Sequence, residues 1–218
     1  MAWERNTTRV PPGSGTSSSV DSYFLSEPLT SRAYARTGAA VKTEDDPLET
    51  SPAREMRKSV AALRHLEDAV LAATWTEGIV LRYGHFYGPG TSMAADGSMP
   101  ELIRKRKLPM VGKGNGVWSF IHVADAADAT VAAVDRATRG IYNVVDDDPA
   151  PVAAWLPALA SELGAKAPMR VPRVVGRLFA GEAGVVMMDE FRGASNAKAK
   201  RELGWRPGHP TWRAGLSG

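Results

Sequence analysis

Arg82, Tyr83, His85 and Tyr87 crowd into one short stretch of this sequence, which Gly88-Pro89-Gly90 closes. A histidine can donate or accept a proton near neutral pH. His85 is therefore the catalytic candidate, with Tyr83 and Gly84 beside it as ligand contacts. The competing reading of His85 is a hydrogen-bonded loop histidine. Three other stretches imitate chemistry. Gly112-Lys-Gly-Asn-Gly116 has the glycines of a phosphate loop, but the strand-like Val117 to Val123 follows it, so no helix N-terminus is offered to a phosphate. A hairpin turn is the expectation there. Asp146-Asp147-Asp148 resembles a metal cluster, yet adjacent carboxylates do not converge on one ion as interleaved ones do. It reads as a solvated turn, and no metal site is predicted. Arg104 to Lys107 reads as the cationic end of a short helix over 99–107.

These residues need a frame. Ile79-Val80-Leu81 is a short β-branched apolar run of the kind buried on both faces of a parallel sheet. Upstream, Val60, Leu63, Leu66 and Val70 recur at helical spacing, which predicts a helix over 55–73. Helix, buried strand and glycine-rich loop outline a parallel α/β sheet, whose ligands sit beyond the carboxyl ends of the strands. Further strands are expected at 108–111, 117–123 and 140–145, and helices at 126–137, 152–163 and 174–181. His122 falls at a strand–helix junction, and Asp125 near the start of the following helix, where a carboxylate is favourable. Ser195 is the expected N-cap of a late helix, and Trp212 is expected to anchor the C-terminal tail. The first 33 residues differ: Asn6 to Ser19 is rich in Thr, Ser, Gly and Pro, without hydrophobic period, and reads as a tail. Val20 to Leu25 could form one strand.

The chain has 218 residues, 44% of them hydrophobic, enough to bury a sizeable core. A net charge of +3 is too small to argue for nucleic acid. The absence of cysteine excludes disulfides and thiolate chemistry. No apolar run approaches the ~20 residues of a membrane span, and the expectation is a soluble cytoplasmic protein.

Leu81-Arg-Tyr-Gly-His-Phe-Tyr-Gly-Pro-Gly90, Phe120-Ile-His-Val-Ala-Asp125, Tyr142-Asn-Val-Val-Asp146 and Ser195-Asn-Ala-Lys-Ala-Lys-Arg-Glu-Leu-Gly-Trp205 occur in the order found in extended short-chain dehydrogenase/reductases. Over about residues 34–213 the chain resembles that group, the NAD-dependent epimerase/dehydratase family. The resemblance implies an α/β fold: the late strands of a partial Rossmann-like parallel sheet, interleaved with a small C-terminal substrate domain, spanning 34–218. It implies NAD or NADP as cofactor and a small-molecule substrate. It also implies an enzyme of the epimerase, dehydratase or reductase type. The Gly-x-Gly-x-x-Gly turn of the cofactor half has no counterpart here, so binding of a dinucleotide by this chain is expected to be poor.

In the family, the helix before the opening strand carries a Tyr-x-x-x-Lys dyad, with a Glu four residues after the Lys. If Glu67 is that Glu, Leu63 stands at the Lys position and Ser59 at the Tyr position, so the dyad is absent. Arg57 and Lys58 lie close by and read as solvated charges. By the same resemblance His85 takes the place of an Asn that faces substrate. Trp118 takes the place of an Arg that sugar-nucleotide members set on a diphosphate, and Arg192 is a further candidate for substrate contact. His85, Trp118 and Tyr83 are expected to line one pocket. Two alternatives stand beside the enzyme: an inactive remnant that binds a ligand or partner, and a truncated or frameshifted product. Loss of the first strands would leave an exposed sheet face, through which the chain would dimerise or self-associate.

Overall fold

The computed structural model describes residues 33–215. The expectations for the Asn6–Ser19 tail and for a strand at Val20 to Leu25 lie outside them.

The frame predicted around Ile79 is present. Strand β1 is Val41–Lys42, and helix α1, Arg57–Ala72, follows a single 3-10 turn at Arg54–Met56. Strand β2, Ile79–Tyr83, is joined by Gly84 to β3, His85–Tyr87. Helix α2 is Ser98–Arg104 and β4 is Met110–Val111. Strands β5, Val117–Trp118, and β6, Phe120–His122, run into α3, Val123–Arg136. Then come β7, Gly140–Val144, β8, Ala150–Pro151, and α4, Val152–Glu162. Strand β9, Arg170–Val171, precedes the long α5, Arg173–Asp189. Strand β10, Gly193–Ala194, and helices α6, Ala197–Glu202, and α7, Trp212–Gly215, complete the described chain.

The central pair is β2 with β7, parallel and in register from Ile79 opposite Gly140 to Tyr83 opposite Val144. A parallel pair needs a crossover, and the excursion from β3 through α3 supplies it. Ile79, Leu81 and Tyr83 pack towards Ala126, Ala129 and Ala133 of α3. Alanine leaves little side chain between helix and strand, which brings the two close. Among the described residues nothing pairs with the other edge of β2.

Gly84 is the pivot. Its N–H donates to Val144 O at 3.1 Å, while the next N–H, of His85, donates to Ser119 O at 2.8 Å. The chain thus leaves β7 and joins β6 within one residue, and β3 pairs in parallel with β6. The in–out alternation slips by one at this step. Phe86, not His85, follows Tyr83 onto the α3 side, and Tyr87 enters the larger core with Val60 and Leu63 of α1. A Cβ on Gly84 would lie 2.8 Å from Ser119 O and 2.9 Å from Phe120 C and O.

Three expectations are corrected by the structure. The Gly112–Gly116 loop does not close a hairpin: β4 pairs in parallel with β9, and β5 pairs antiparallel with β8. Its backbone is instead gathered by Asp189, whose Oδ1 accepts the N–H groups of Lys113 and Asn115, both at 3.1 Å. Asp146 is buried, not part of a solvated turn. Asn196, not Ser195, sits at the N-cap of α6, and its amide reaches inward to Val145 O at 2.8 Å and Asp147 Oδ1 at 2.6 Å. Trp212 is buried as expected, its indole N–H donating to Asp148 O at 3.1 Å.

Gly84→Ala should push Cβ into immovable backbone and cost about 1–3 kcal/mol of stability. Urea unfolding measures it, and a variant as stable as the parent would show that the β2-to-β3 switch tolerates a side chain.

Candidate functional site

A buried ion pair fixes the helix that borders the site. Arg82 of β2 donates from Nε to Glu67 Oε1 at 2.8 Å and from Nη2 to Glu67 Oε2 at 2.7 Å. Both residues are buried. The third guanidinium nitrogen, Nη1, donates to the Tyr34 hydroxyl at 2.8 Å, which in turn donates to Asn143 Oδ1 of β7 at 2.8 Å. Glu44 Oε1 accepts the Asn143 N–H at 2.7 Å. Burial pulls the guanidinium down, but Glu67 and Tyr34 outweigh it and hold Arg82 above its ordinary value. Burial raises the Tyr34 hydroxyl despite Arg82. With Glu67 locked on β2, the residues four and eight positions earlier on α1 share its side of the helix. They are Leu63 and Ser59. Leu63 packs half-buried against the larger core, and Ser59 is half-buried.

The structure brings His85 and Trp118 together. Their rings stack with centroids 3.8 Å apart at 19°. Both are buried, and His85 Nδ1 lies 3.3 Å from Ser119 O. Trp118 is committed on its other sides: Nε1 donates to Met187 O at 2.8 Å, and the ring leans on Trp155 with centroids 4.7 Å apart. Tyr83 is not part of this stack. The slip at Gly84 turns it to the α3 side, where it packs on Phe86 at 5.4 Å and its hydroxyl meets Thr130 Oγ1 at 2.5 Å. The expected three-residue pocket is therefore corrected to a two-residue stack with Tyr83 on the far side.

Arg192 is spent within the fold. Its Nε and Nη2 donate to Arg36 O at 2.8 and 2.5 Å, tying the 33–49 loop to β10. Arg57 and Lys58 are exposed at the start of α1. Arg57 and Arg64 border a cleft of about 460 Å³ with Glu49, Ser51 and Glu182, on the face of α1 next to the one that carries Ser59 and Leu63.

A second polar group joins His122 and Asp125 to His209, the member that the sequence does not mark. His122 caps α3, Nδ1 accepting the Ala124 N–H at 3.3 Å, and its ring stacks on His209 with centroids 3.7 Å apart at 22°. Asp125 accepts the N–H groups of Gly208 and His209 at 3.0 and 2.8 Å and lies 3.2 Å from His209 Nδ1. Ligating atoms of these three residues lie within 4.8 Å of one another. The near-parallel rings hold their nitrogen lone pairs side by side, whereas a shared metal needs them to converge. The arrangement serves as a latch for the 207–212 segment. Burial, then the neighbouring His209, hold the His122 imidazole below its usual range against the pull of Asp125. Asp146 is buried, its carboxyl pushed up to about 8, mainly by burial. The His-x-x-Asp spacing at a helix start was a visible signal, but nothing near His209 marked it as the third member.

The dinucleotide that the resemblance implies finds little to hold it among the described residues. The space in front of Gly84 is filled by Ser119 and Phe120 backbone. The glycine loop at 112–116 turns its N–H groups on the chain's own Asp189. The start of α3 is occupied by His122 and Asp125. These residues do not form a pyrophosphate cradle.

A profile described as the NAD dependent epimerase/dehydratase family matches residues 25–145, and the chain belongs to that family. It is 43% identical over 185 residues to a 3-diazoavenalumate denitrifying reductase of a Streptomyces species, covering 84% of this chain and 60% of that protein. It is 30% identical over 131 residues to a UDP-N-acetyl-alpha-D-glucosaminuronate decarboxylase of Bacillus cytotoxicus, covering 55% of this chain and 40% of that one. A conserved Silicibacter pomeroyi protein of unknown function superposes with a TM-score of 0.65 at 28% identity, over 86% of this chain and 62% of that chain. A human epimerase family protein solved with NADPH superposes at 0.65 and 22% identity, over 84% and 60%. The fold is thus the α/β, Rossmann-like one expected, and the chain spans about 60% of the length of the reductase it matches. No helix among the described residues is long and apolar enough to cross a membrane.

Glu67→Gln should cost about 3–5 kcal/mol, because it breaks the bidentate contact and leaves the Arg82 charge buried without a counter-charge; urea unfolding reads this directly. The Asp146 carboxyl has a folded pKa above its unfolded one. Its contribution is therefore complete below about pH 4 and lost as pH rises through about 8. Relative to Asp146→Asn, the parent should lose stability steadily between those limits. Parallel stability curves for the two would contradict the assignment.

Proposed function

We propose that this chain is the substrate-side part of a family reductase whose chemistry dispenses with the Tyr–Lys proton relay. The observation that carries the proposal is the Arg82–Glu67 pair. It supports the alignment of α1 that places Leu63 and Ser59 where the family has Lys and Tyr. A leucine packed on the core holds neither a charge nor a proton.

That loss selects among reactions. Reduction at a carbonyl carbon leaves an oxyanion that must be protonated, the work of a positioned acid. A substrate whose leaving group departs as a stable neutral molecule needs no such acid. The reductase of 43% identity is named for removing nitrogen from a diazo compound. We extend that class to this chain. Carried in its cationic diazonium form, such a group takes hydride at carbon: a C–H bond forms, the C–N bond breaks and dinitrogen leaves. The substrate gains two electrons and loses its positive charge, so the balance closes without a general acid. Reduced nicotinamide supplies hydride in the family, and we assign its binding mainly to the part of the relative that this chain does not span. The part left to this chain is to bind and orient the organic portion of the substrate and to exclude water.

The filled space at His85 and Trp118 supports a small substrate. Where the resemblance puts an arginine on a diphosphate, this chain has an indole whose N–H is already bonded to Met187 O. A Trp cannot take the forked contact of a guanidinium. Nucleotide sugars are therefore outside the proposed range, and Tyr83, Gly84 and Arg192 serve the frame of the fold.

Two measurements test this reading. Calorimetry on the 218-residue chain should show NAD(H) and NADP(H) binding weaker than about 1 mM, since the pyrophosphate cradle that dominates such affinity is not formed by the described residues. Micromolar binding would overturn it. In a fusion to a dinucleotide-binding half, Ser59→Ala should keep turnover of an aromatic diazonium acid within about twofold. A loss of 100-fold or more, the scale of a lost general acid, would show that Ser59 had taken the tyrosine's role.

A further inference from the structure

The first two turns of α5 stand away from the body. From Arg173 to Ala180 only Gly176 is buried, lying so close to Val111 that a Cβ would come within 2.4 Å of its side chain. Val174, Leu178 and Phe179 are 81%, 79% and 79% exposed, and Val175 and Met169 extend the patch. At about 100° per residue, Val174, Leu178, Val175 and Phe179 fill one arc, and Arg177 and Arg173 edge it. The arm ends where Gly181 leaves helical geometry at φ 68°.

A separate apolar stripe runs along α3. Val131 and Val134 are 62% and 79% exposed, and Ala127 is exposed in line with them. Asp128 and Asp135, both exposed, lie along one flank of this stripe. The two surfaces share a plan, an apolar centre with a single charged flank, but the flanks have opposite sign.

The geometry points to a head-to-tail contact in which the α5 arm of one copy of this chain docks on the α3 stripe of a second. Charge chooses this pairing. Two α5 arms face to face would set arginines against arginines, and two α3 stripes would set aspartates against aspartates. Like-charge juxtaposition is costly at an interface. The arm on the stripe matches both the apolar centres and the flanks. Arg173 is already engaged with Asp189 and Glu190 of its own chain, so Arg177 is the cation offered to Asp128 and Asp135. A contact between two different surfaces does not close on itself unless the rotation happens to complete a ring. One helix against another also falls short of the roughly 1,000 Å² of a stable interface. The association is therefore weak, open-ended and dependent on salt.

Sedimentation velocity on the 218-residue chain, from about 10 µM to about 1 mM, tests it. The average mass should rise with concentration from the 23.3 kDa monomer and fall back as salt is added. Leu178→Glu with Phe179→Glu should weaken association at least tenfold, and Val131→Glu with Val134→Glu should do the same. These positions are exposed, so circular dichroism should show both variants folded. Mixed in equal amounts, they should recover association that stops at two chains, because each supplies the face the other lacks. A monomeric parent, association unchanged in both variants, or a mixture that stays monomeric would each overturn the proposal. Unchanged association would place the contact at the open edge of β2.

Discussion

The rest of the structure hangs on two charges buried together, Arg82 and Glu67. Taking them out of water is costly, and only a bidentate contact with the remaining donors satisfied offsets the cost. Here Tyr34 takes the remaining guanidinium nitrogen and passes the connection to Asn143. The pair therefore does more than join helix to strand. It holds the 33–49 loop against β7 and sets the rotation of α1 about its axis. A hydrophobic contact would allow that helix to slide or roll by part of a turn. A forked ion pair does not, and so the identity of the residues one and two turns earlier carries chemical meaning.

Position after position in the neighbourhood shows polar capacity used inside the fold. Arg192 holds a backbone carbonyl, Trp118 holds another, and the glycine loop surrounds Asp189. The cleft that the described residues leave beside α1 is bordered by Glu49, Arg57, Arg64 and Glu182, away from the Ser59 and Leu63 positions. A leucine in place of the relay lysine suits the proposed substrate, whose reduction is driven by loss of a neutral leaving group. It does not suit one that must be protonated in step with hydride arrival.

Much of the frame was readable from local signals. Ile79-Val80-Leu81 announces a buried strand, the apolar period from Val60 to Val70 announces α1, and Glu67 stands out by its place in that helix even without Arg82. What failed to read was set by contacts distant in sequence. The slip at Gly84 depends on Ser119, 35 residues on, and it separates Tyr83 from His85 although strand alternation would align them. The supposed hairpin at Gly112–Gly116 was drawn open by β9 and β8, strands too short to announce themselves. Asp146 looked like one of three solvated carboxylates, but it is buried, and the returning tail bonds beside it through Trp212 to Asp148 O. The His122–Asp125–His209 latch joins a helix start to a loop 84 residues later, a distance over which no spacing rule operates.

The central claim is that the Tyr–Lys proton relay is absent from the chemistry, not moved to another residue. The most direct measurement is the pH dependence of kcat for this chain joined to a dinucleotide-binding half, in light and heavy water. The account predicts a flat profile from about pH 6 to 9 and a solvent isotope effect close to 1, since no proton is in flight when hydride transfers. A bell-shaped profile with an essential acid near neutrality, and a solvent isotope effect of about 2 or more, would contradict it.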